Sequence, residues 1–411
     1  MTENLTTRRP LEGIRVIDFC WVWAGPAATE LLAYLGAEVI RIESQDHLCG
    51  TRRRPPRRGL PPPDINCATP FNCLNLGKRS ITINITQPKG IELIKRLTAV
   101  SDVVTDNYAG GMMERFGLAY RDLKAVKPDI IVISMSGWGA YGPERDYRAY
   151  DPIFAGLSGF YEMTGYPDRP PGKVGSFGRC DLSCGNSFTL CIIAALLHRA
   201  KTGEGQFIDL SQWEVMNCNM GDAYMDYFMN RRSRSRVGNR DDIMAPHNCY
   251  RCQGEDKWVS IAIATDDEWR AFCHASNKPE WADDPRFSTA RNRYQIQEEL
   301  DRLITGWTVT HTHYEVCQIL QQAGIAAFPS LTRSELTQDP HLIARKGYIQ
   351  IEHPEAGKNT FLAPPWKMSA TPAVITKHSP LLGQDNEYAF LELLGMPVEE
   401  FAVLVGEGVI Y

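Results

Sequence analysis

Ile14-Arg15-Val16-Ile17-Asp18-Phe19, then Ala24-Gly25-Pro26, then Glu38-Val39-Ile40-Arg41-Ile42-Glu43: the reading of these three runs decides the fold. The first is apolar enough for a buried strand. Pro26 suits the first turn of a helix, because its ring fixes φ and the N–H it lacks would be unpaired there anyway. That helix runs to about Leu35, where Gly36 stops it. The third run is a second strand. A strand, a helix and a strand in so short a span form a β-α-β unit, which implies a parallel sheet covered by helices. The pattern recurs, with strands at 80–84, 102–106 and 130–135 and helices at 87–97 and 118–126. The expected fold is α/β: a Rossmann-like, doubly wound parallel sheet with a smaller α+β domain attached.

Three segments follow from composition. Residues 1–224 read as the large Rossmann-like domain and 225–335 as the small α+β domain, entered through the basic stretch Asn230-Arg231-Arg232-Ser233-Arg234-Ser235-Arg236. Residues 336–411 read as a C-terminal segment that returns to the large domain and ends in a helix near 386–394.

The chain has 411 residues, 43% hydrophobic and 23% charged, with a net charge of -5, an ordinary balance for a globular protein. That balance argues against nucleic acid as a partner. The 12 cysteines follow no disulfide framework and read as reduced thiols of a cytoplasmic protein. Cys249-x-x-Cys252 has no second pair at zinc-ribbon spacing, so no metal site is expected. The N-terminus shows no signal-peptide pattern, and the apolar runs read as too short to span a membrane.

The first β-α turn, Trp21-Val22-Trp23-Ala24-Gly25-Pro26, lacks the Gly-x-Gly-x-x-Gly fingerprint, and Pro26 removes an N–H that could hold a pyrophosphate. A standard dinucleotide site is therefore not expected. The run Arg52-Arg53-Arg54-Pro55-Pro56-Arg57-Arg58-Gly59-Leu60-Pro61-Pro62-Pro63 reads as a stiff positive loop, suited either to a phosphorylated ligand or to carboxylate partners at the surface.

Asp181 carries the chemistry. It lies just before Phe188-Thr189-Leu190-Cys191-Ile192-Ile193-Ala194-Ala195-Leu196-Leu197, a run apolar nearly all round that reads as a buried helix. At a helix N-terminus the dipole favours an ionised carboxylate, which can attack an activated carbonyl. The same position suits a helix cap equally well.

Further segments are Leu11-Glu12-Gly13-Ile14-Arg15-Val16-Ile17-Asp18, Leu35-Gly36-Ala37-Glu38, Asn75-Leu76-Gly77-Lys78-Arg79-Ser80, Asp106-Asn107-Tyr108, Arg115-Phe116-Gly117-Leu118, Ser136-Gly137-Trp138-Gly139, Arg199-Ala200-Lys201-Thr202-Gly203-Glu204-Gly205-Gln206 and Ser379-Pro380-Leu381-Leu382-Gly383-Gln384. Together they resemble family III CoA-transferases, the group that includes formyl-CoA transferase, carnitine CoA-transferase and α-methylacyl-CoA racemase. The resemblance implies that Asp181 is the nucleophile, forming an aspartyl anhydride and then an aspartyl-CoA thioester. It implies a CoA path along Val22, Trp23, Ala24, Asn107 and Tyr108, with Arg41, Lys78 and Arg115 meeting phosphates. Tyr108 could instead pack the core, and Arg115 could be a surface ion pair. Oxyanion donors would come from the backbone at Trp23-Ala24 or Ser136-Gly137. No permanently bound cofactor is implied, since acyl-CoA is the substrate. The implied assembly is an interlocked ring-shaped dimer, either of one chain or of two related subunits.

Departures from the family pattern narrow the activity. Racemases place a His where Tyr150 precedes Asp151, and Tyr titrates too high to replace it as a proton carrier. Formyl-CoA transferase has Gln where Trp23 stands, and a glycine run near Met244-Ala245-Pro246-His247. Trp21, Trp138, Tyr150 and His247 are the candidate substrate residues, and the aromatic bias suits an aryl-substituted dicarboxylate such as benzylsuccinate, with succinyl-CoA as donor; the aromatics could instead pack the core, and His247 could be structural. The rival readings are a racemase and a noncatalytic CoA-binding subunit.

Overall fold

The computed structural model describes residues 9–54, 64–172, 179–375 and 377–411. Six strands, β1 (Arg15–Asp18), β2 (Glu38–Glu43), β3 (Arg79–Thr82), β4 (Val103–Asp106), β5 (Ile131–Ser136) and β6 (Phe207–Ser211), form one sheet in the order β3-β2-β1-β4-β5-β6. Every pair in it is parallel. This is the strand order of a Rossmann sheet, with its switch point between β1 and β4. The five strands expected from the sequence are present. β6 was not among them: Asp209 interrupts its apolar pattern, and its carboxylate accepts the Ala140 N–H at 2.8 Å.

Strand alternation sorts the two faces. Ile17, Ile40, Ile81, Val104 and Val132 form one core with Leu93, Ile94 and Leu97 of helix α2 (Pro88–Ala99) and with Leu123 of helix α3 (Tyr120–Val126). On the opposite face lie helix α1 (Ala24–Tyr34), helix α4 (Asp151–Leu157), helix α5 (Arg179–Thr202) and helix α6 (Gln212–Cys218).

Two expectations about α5 need correction. It is not buried all round: α1, α4, α6 and β5 pack against it, yet Leu190 is 67% and Leu197 60% exposed among the described residues. Nor is it too short to span a membrane. Its 24 residues suffice by length and composition. Its packing is that of a core helix: a Cβ at Gly185 would stand 3.1 Å from the Ala24 carbonyl oxygen, and Thr189 donates to the Ala28 carbonyl at 3.2 Å.

By internal contacts the chain divides into two units. The first comprises residues 9–159, 179–231 and 344–411, and the second comprises 160–172 and 232–343. Residues 160–172 thus join the second unit well ahead of the boundary at 225 read from composition. The second unit holds the antiparallel sheet β7-β8-β9 (His247–Arg251, Trp258–Ala262, Ala326–Pro329) over a core that includes Trp269, Phe272, Phe287 and Leu300. In the first unit, the hairpin β10–β11 (Tyr348–His353, Gly357–Leu362) brings Phe361 to Tyr34 and Leu76. Asp385 and Asn386 then accept the N–H groups of Ser80 and Thr82 on the edge strand β3, at 3.0 and 2.9 Å.

Candidate active site

Asp181 stands in the first turn of α5. The helix is capped not by Asp181 but by Asp151, the first residue of α4, whose Oδ1 accepts the N–H groups of Cys180 at 2.8 Å and Asp181 at 3.3 Å. Burial, and then the neighbouring Asp151 charge, push the Asp181 carboxyl up to about 7. The expectation from the helix dipole alone, a carboxylate held firmly ionised, is therefore corrected. Burial and the Asp151 charge both disfavour the ionised form that the dipole favours.

Beside it lies the turn that starts α1. The contacts of Gly185 with Ala24 and of Thr189 with Ala28 keep the two helices in parallel register, so their N-termini lie side by side. Before α1, Asn107 grips one residue twice: Oδ1 accepts the Trp21 N–H and Nδ2 donates to the Trp21 carbonyl, both at 2.9 Å. The next N–H, of Val22, donates to Cys49 Sγ at 3.2 Å. Val22 has φ of 66°, a left-handed conformation rare for a β-branched residue. Gly25 allows the close packing here, since a Cβ would fall 2.4 Å from the Cys20 Cβ. Trp23 is the residue before α1 and Ala24 its first.

A cavity of about 520 Å³ opens at the C-terminal ends of β1 to β4. Trp21, Arg41, His47, Cys49, Tyr108 and Phe116 are among its walls. Trp21 packs edge-on to Tyr108, with ring centroids 5.9 Å apart, and lies 5.7 Å from the His47 ring. His47 and Cys49 were not singled out in the sequence: a loop between a strand and a polar run gives no periodic signal.

The basic candidates separate. Lys78 is fully buried, and its ammonium donates to the Pro26 carbonyl, Thr29 Oγ1 and Asn75 Oδ1 at 2.8, 2.8 and 3.0 Å, with Asp18 at 3.5 Å. Those partners use its donors inside the protein, against its expected phosphate role. Arg41 is also buried, 4.0 Å from Asp18 and 3.5 Å from Glu43, yet it borders the cavity. Arg52 forks onto Glu43 through Nε and Nη2, at 2.9 and 2.7 Å, over the face of Phe71. Burial alone would raise the Glu43 carboxyl, but Arg52 and Arg41 bring it down to about 2. Arg52 is thus an internal ion-pair partner, while residues 55–63 of the expected positive loop lie outside the described residues. Arg115 ends a short helix, exposed and with no ion pair among the described residues.

Trp138 packs on Phe154 at 5.3 Å and on Tyr147 at 5.8 Å, and its buried Nε1 has no hydrogen-bond partner among the described residues. Tyr150 is 70% exposed, just ahead of α4. His247 belongs to the second unit, where its Nδ1 lies 2.6 Å from the Asn239 carbonyl oxygen. No cluster of His, Cys, Asp and Glu suited to a metal ion occurs among the described residues.

These features meet in a known family. The model of "CoA-transferase family III" matches residues 11–386, and the chain belongs to that family of CoA-transferases. A succinyl-CoA–D-citramalate CoA-transferase of Chloroflexus aurantiacus is 33% identical over 98% of both chains. A succinate–glutarate CoA-transferase of Agrobacterium fabrum is 31% identical over 96% of this chain and 98% of its own. A formyl-CoA:oxalate CoA-transferase of Streptomyces coelicolor is 32% identical over 98% of this chain and 100% of its own. A crystal structure of a CAIB/BAIF family protein from Brucella suis superposes with a TM-score of 0.83 at 30% identity, over 93% of this chain and 98% of that one.

Proposed function

We propose that the protein moves CoA from an acyl-CoA donor to a dicarboxylic acid through Asp181. The carboxylate attacks the donor thioester carbonyl and the C–S bond breaks, leaving an aspartyl anhydride and CoA thiolate. The thiolate then attacks the aspartyl carbonyl, releasing the donor acid and leaving an aspartyl-CoA thioester. The acceptor carboxylate runs the two steps in reverse. Each step replaces one difficult exchange with an easier covalent one. The observation that carries this reading is the placement of Asp181 at the start of α5, beside the turn that opens α1.

The cavity at the switch point is the proposed seat of the CoA nucleotide, as in α/β sheets generally. Trp21 and Tyr108 offer it aromatic surface and Arg41 positive charge, while Arg115 is the proposed exposed phosphate contact. Succinyl-CoA is the proposed donor, and the names of the relatives support short dicarboxylates as acceptors. Trp21, Trp138 and Tyr150 favour an acceptor with an aryl substituent, of which benzylsuccinate is the first to test, with His247 a further contact. Proposed with this is an interlocked ring-shaped dimer, supported by the exposed apolar side chains Leu190, Leu197, Phe228 and Met229. We propose a cytoplasmic location.

The test is to incubate the protein with succinyl-CoA, quench with hydroxylamine and map the product by mass spectrometry. An adduct at Asp181 is expected, and an adduct at any other residue overturns the mechanism. Exchange of the α-proton of an acyl-CoA with solvent, without any acceptor acid, would favour the racemase reading.

A further inference from the structure

We propose that Asn107 is a positioning residue: with Cys49 it holds Val22 in a left-handed conformation and so fixes the head of α1 beside Asp181. This rests on the reading of Asp181 as the nucleophile.

Three observations carry it. Asn107 spends both ends of its amide on one residue, accepting the Trp21 N–H and donating to the Trp21 carbonyl. The following N–H, of Val22, goes to Cys49 Sγ, which is buried and lies 3.0 Å from Thr51 Oγ1. A β-branched residue at φ 66° relaxes to the extended or helical region unless its surroundings hold it. Asn107 comes from the end of β4 and Cys49 from the loop after β2, so two elements converge on one strained peptide.

The fit of the clamp adds to these. A Cβ on Gly25 would stand 3.2 Å from Asn107 Cγ, as well as overlapping Cys20. The side chain of Asn107 therefore fills a notch that glycine leaves open at the first turn of α1. Ala24, just before Gly25, already meets Gly185, and Ala27 and Ala28 continue the stretch of α1 that runs beside α5. A shift of the Trp21–Val22 peptide moves the start of α1 and, through Gly185 against Ala24, the helix that carries Asp181. Strain held by its surroundings at such a place is a means of preorganising a site.

Removing the clamp should slow chemistry more than it weakens binding, and removing the strain should undo the defect. Asn107→Ala is expected to slow acylation of Asp181 by saturating succinyl-CoA at least tenfold, beyond any loss of CoA affinity read by calorimetry. Amide hydrogen exchange of the peptide spanning residues 20–26 should quicken. In the double variant with Val22→Gly, glycine adopts the left-handed turn without strain, and most of the acylation rate and the protection should return. If Asn107→Ala is insoluble, Asn107→Asp replaces it: this keeps the acceptor for the Trp21 N–H and loses the donor to its carbonyl, so the same rescue is expected. A defect confined to CoA affinity, or one that Val22→Gly leaves unchanged, overturns the proposal. If the unaltered protein forms no adduct at Asp181, the nucleophile reading fails, and hydrogen exchange alone still decides the clamp.

Discussion

Asp151 and Asp181 are joined through the backbone: one oxygen of Asp151 accepts the N–H of Asp181 and that of Cys180 before it. One carboxylate thus caps the start of the helix in whose first turn the other stands. The cap satisfies donors that a helix start leaves open, and at the same time places a negative charge near a partly buried acid.

That charge predicts the pH profile. The proposed acylation uses the Asp181 carboxylate, whose carboxyl is raised to about 7, so the rate should fall as the pH drops through 7. Asn at 151 retains a side-chain oxygen for the cap but removes the charge. In Asp151→Asn the acid limb of single-turnover acylation should move to lower pH. An unmoved limb would mean that burial alone sets the titration.

Stability should show the converse. Between the ordinary carboxylate range and about 7, the folded chain keeps a proton on Asp181 that the unfolded chain has lost. Protonation therefore stabilises the fold in that window, and the contribution is lost as the pH rises through 7. Asp181→Asn, neutral throughout, should melt on the order of 1–3 °C above the unaltered protein at pH 8. The gap should close toward pH 4. Calorimetric scans at both pH values test this, and a gap independent of pH would contradict it.

Lys78 should matter to the fold rather than to the ligand. Its removal takes from the buried Asp18 the nearer of its two cations, Lys78 at 3.5 Å, and leaves Arg41 at 4.0 Å. Breaking a buried pair from one side typically costs about 3–5 kcal/mol. In urea unfolding, Lys78→Met should lose stability on that scale, and Lys78→Met with Asp18→Asn should recover part of it.

Gly185 tests the register of the two helices. A Cβ there meets the Ala24 carbonyl at 3.1 Å, a distance at which the neighbouring backbone must give way. Gly185→Val should cost roughly 1–3 kcal/mol by overpacking, read from the urea midpoint. Acylation should fall further than the loss of folded protein accounts for, because Asp181 lies one turn ahead on the same helix.

The sheet was legible because its first β-α-β unit is marked by local signals: an apolar run, Pro26, Gly36 and a second run. β6 was hidden, since Asp209 breaks its pattern for the sake of a contact with Ala140. Asp181 stood out through its neighbours along the chain. The role of Asp151 did not, although the residue itself did, because a cap that reaches from α4 to α5 leaves no trace in spacing. Lys78 misled for a related reason, whereas Arg52 takes one of its two expected kinds of partner, a carboxylate. Lys78 and Arg52 look alike to any scale of charge, and only the fold shows that Asp18 and Glu43 already hold them.

The edge strand β3 has a further consequence, for synthesis. Thr82 on that strand donates to the Tyr411 carbonyl, and the two are 329 residues apart. Ile83 pairs with Ile410, and Asn84 N–H donates to the Val409 carbonyl. At roughly 5–20 residues per second on the ribosome, β3 waits tens of seconds for the segment that covers it. A chain stalled before residue 385 would leave the ribosome with that edge open, ready to pair with another nascent copy.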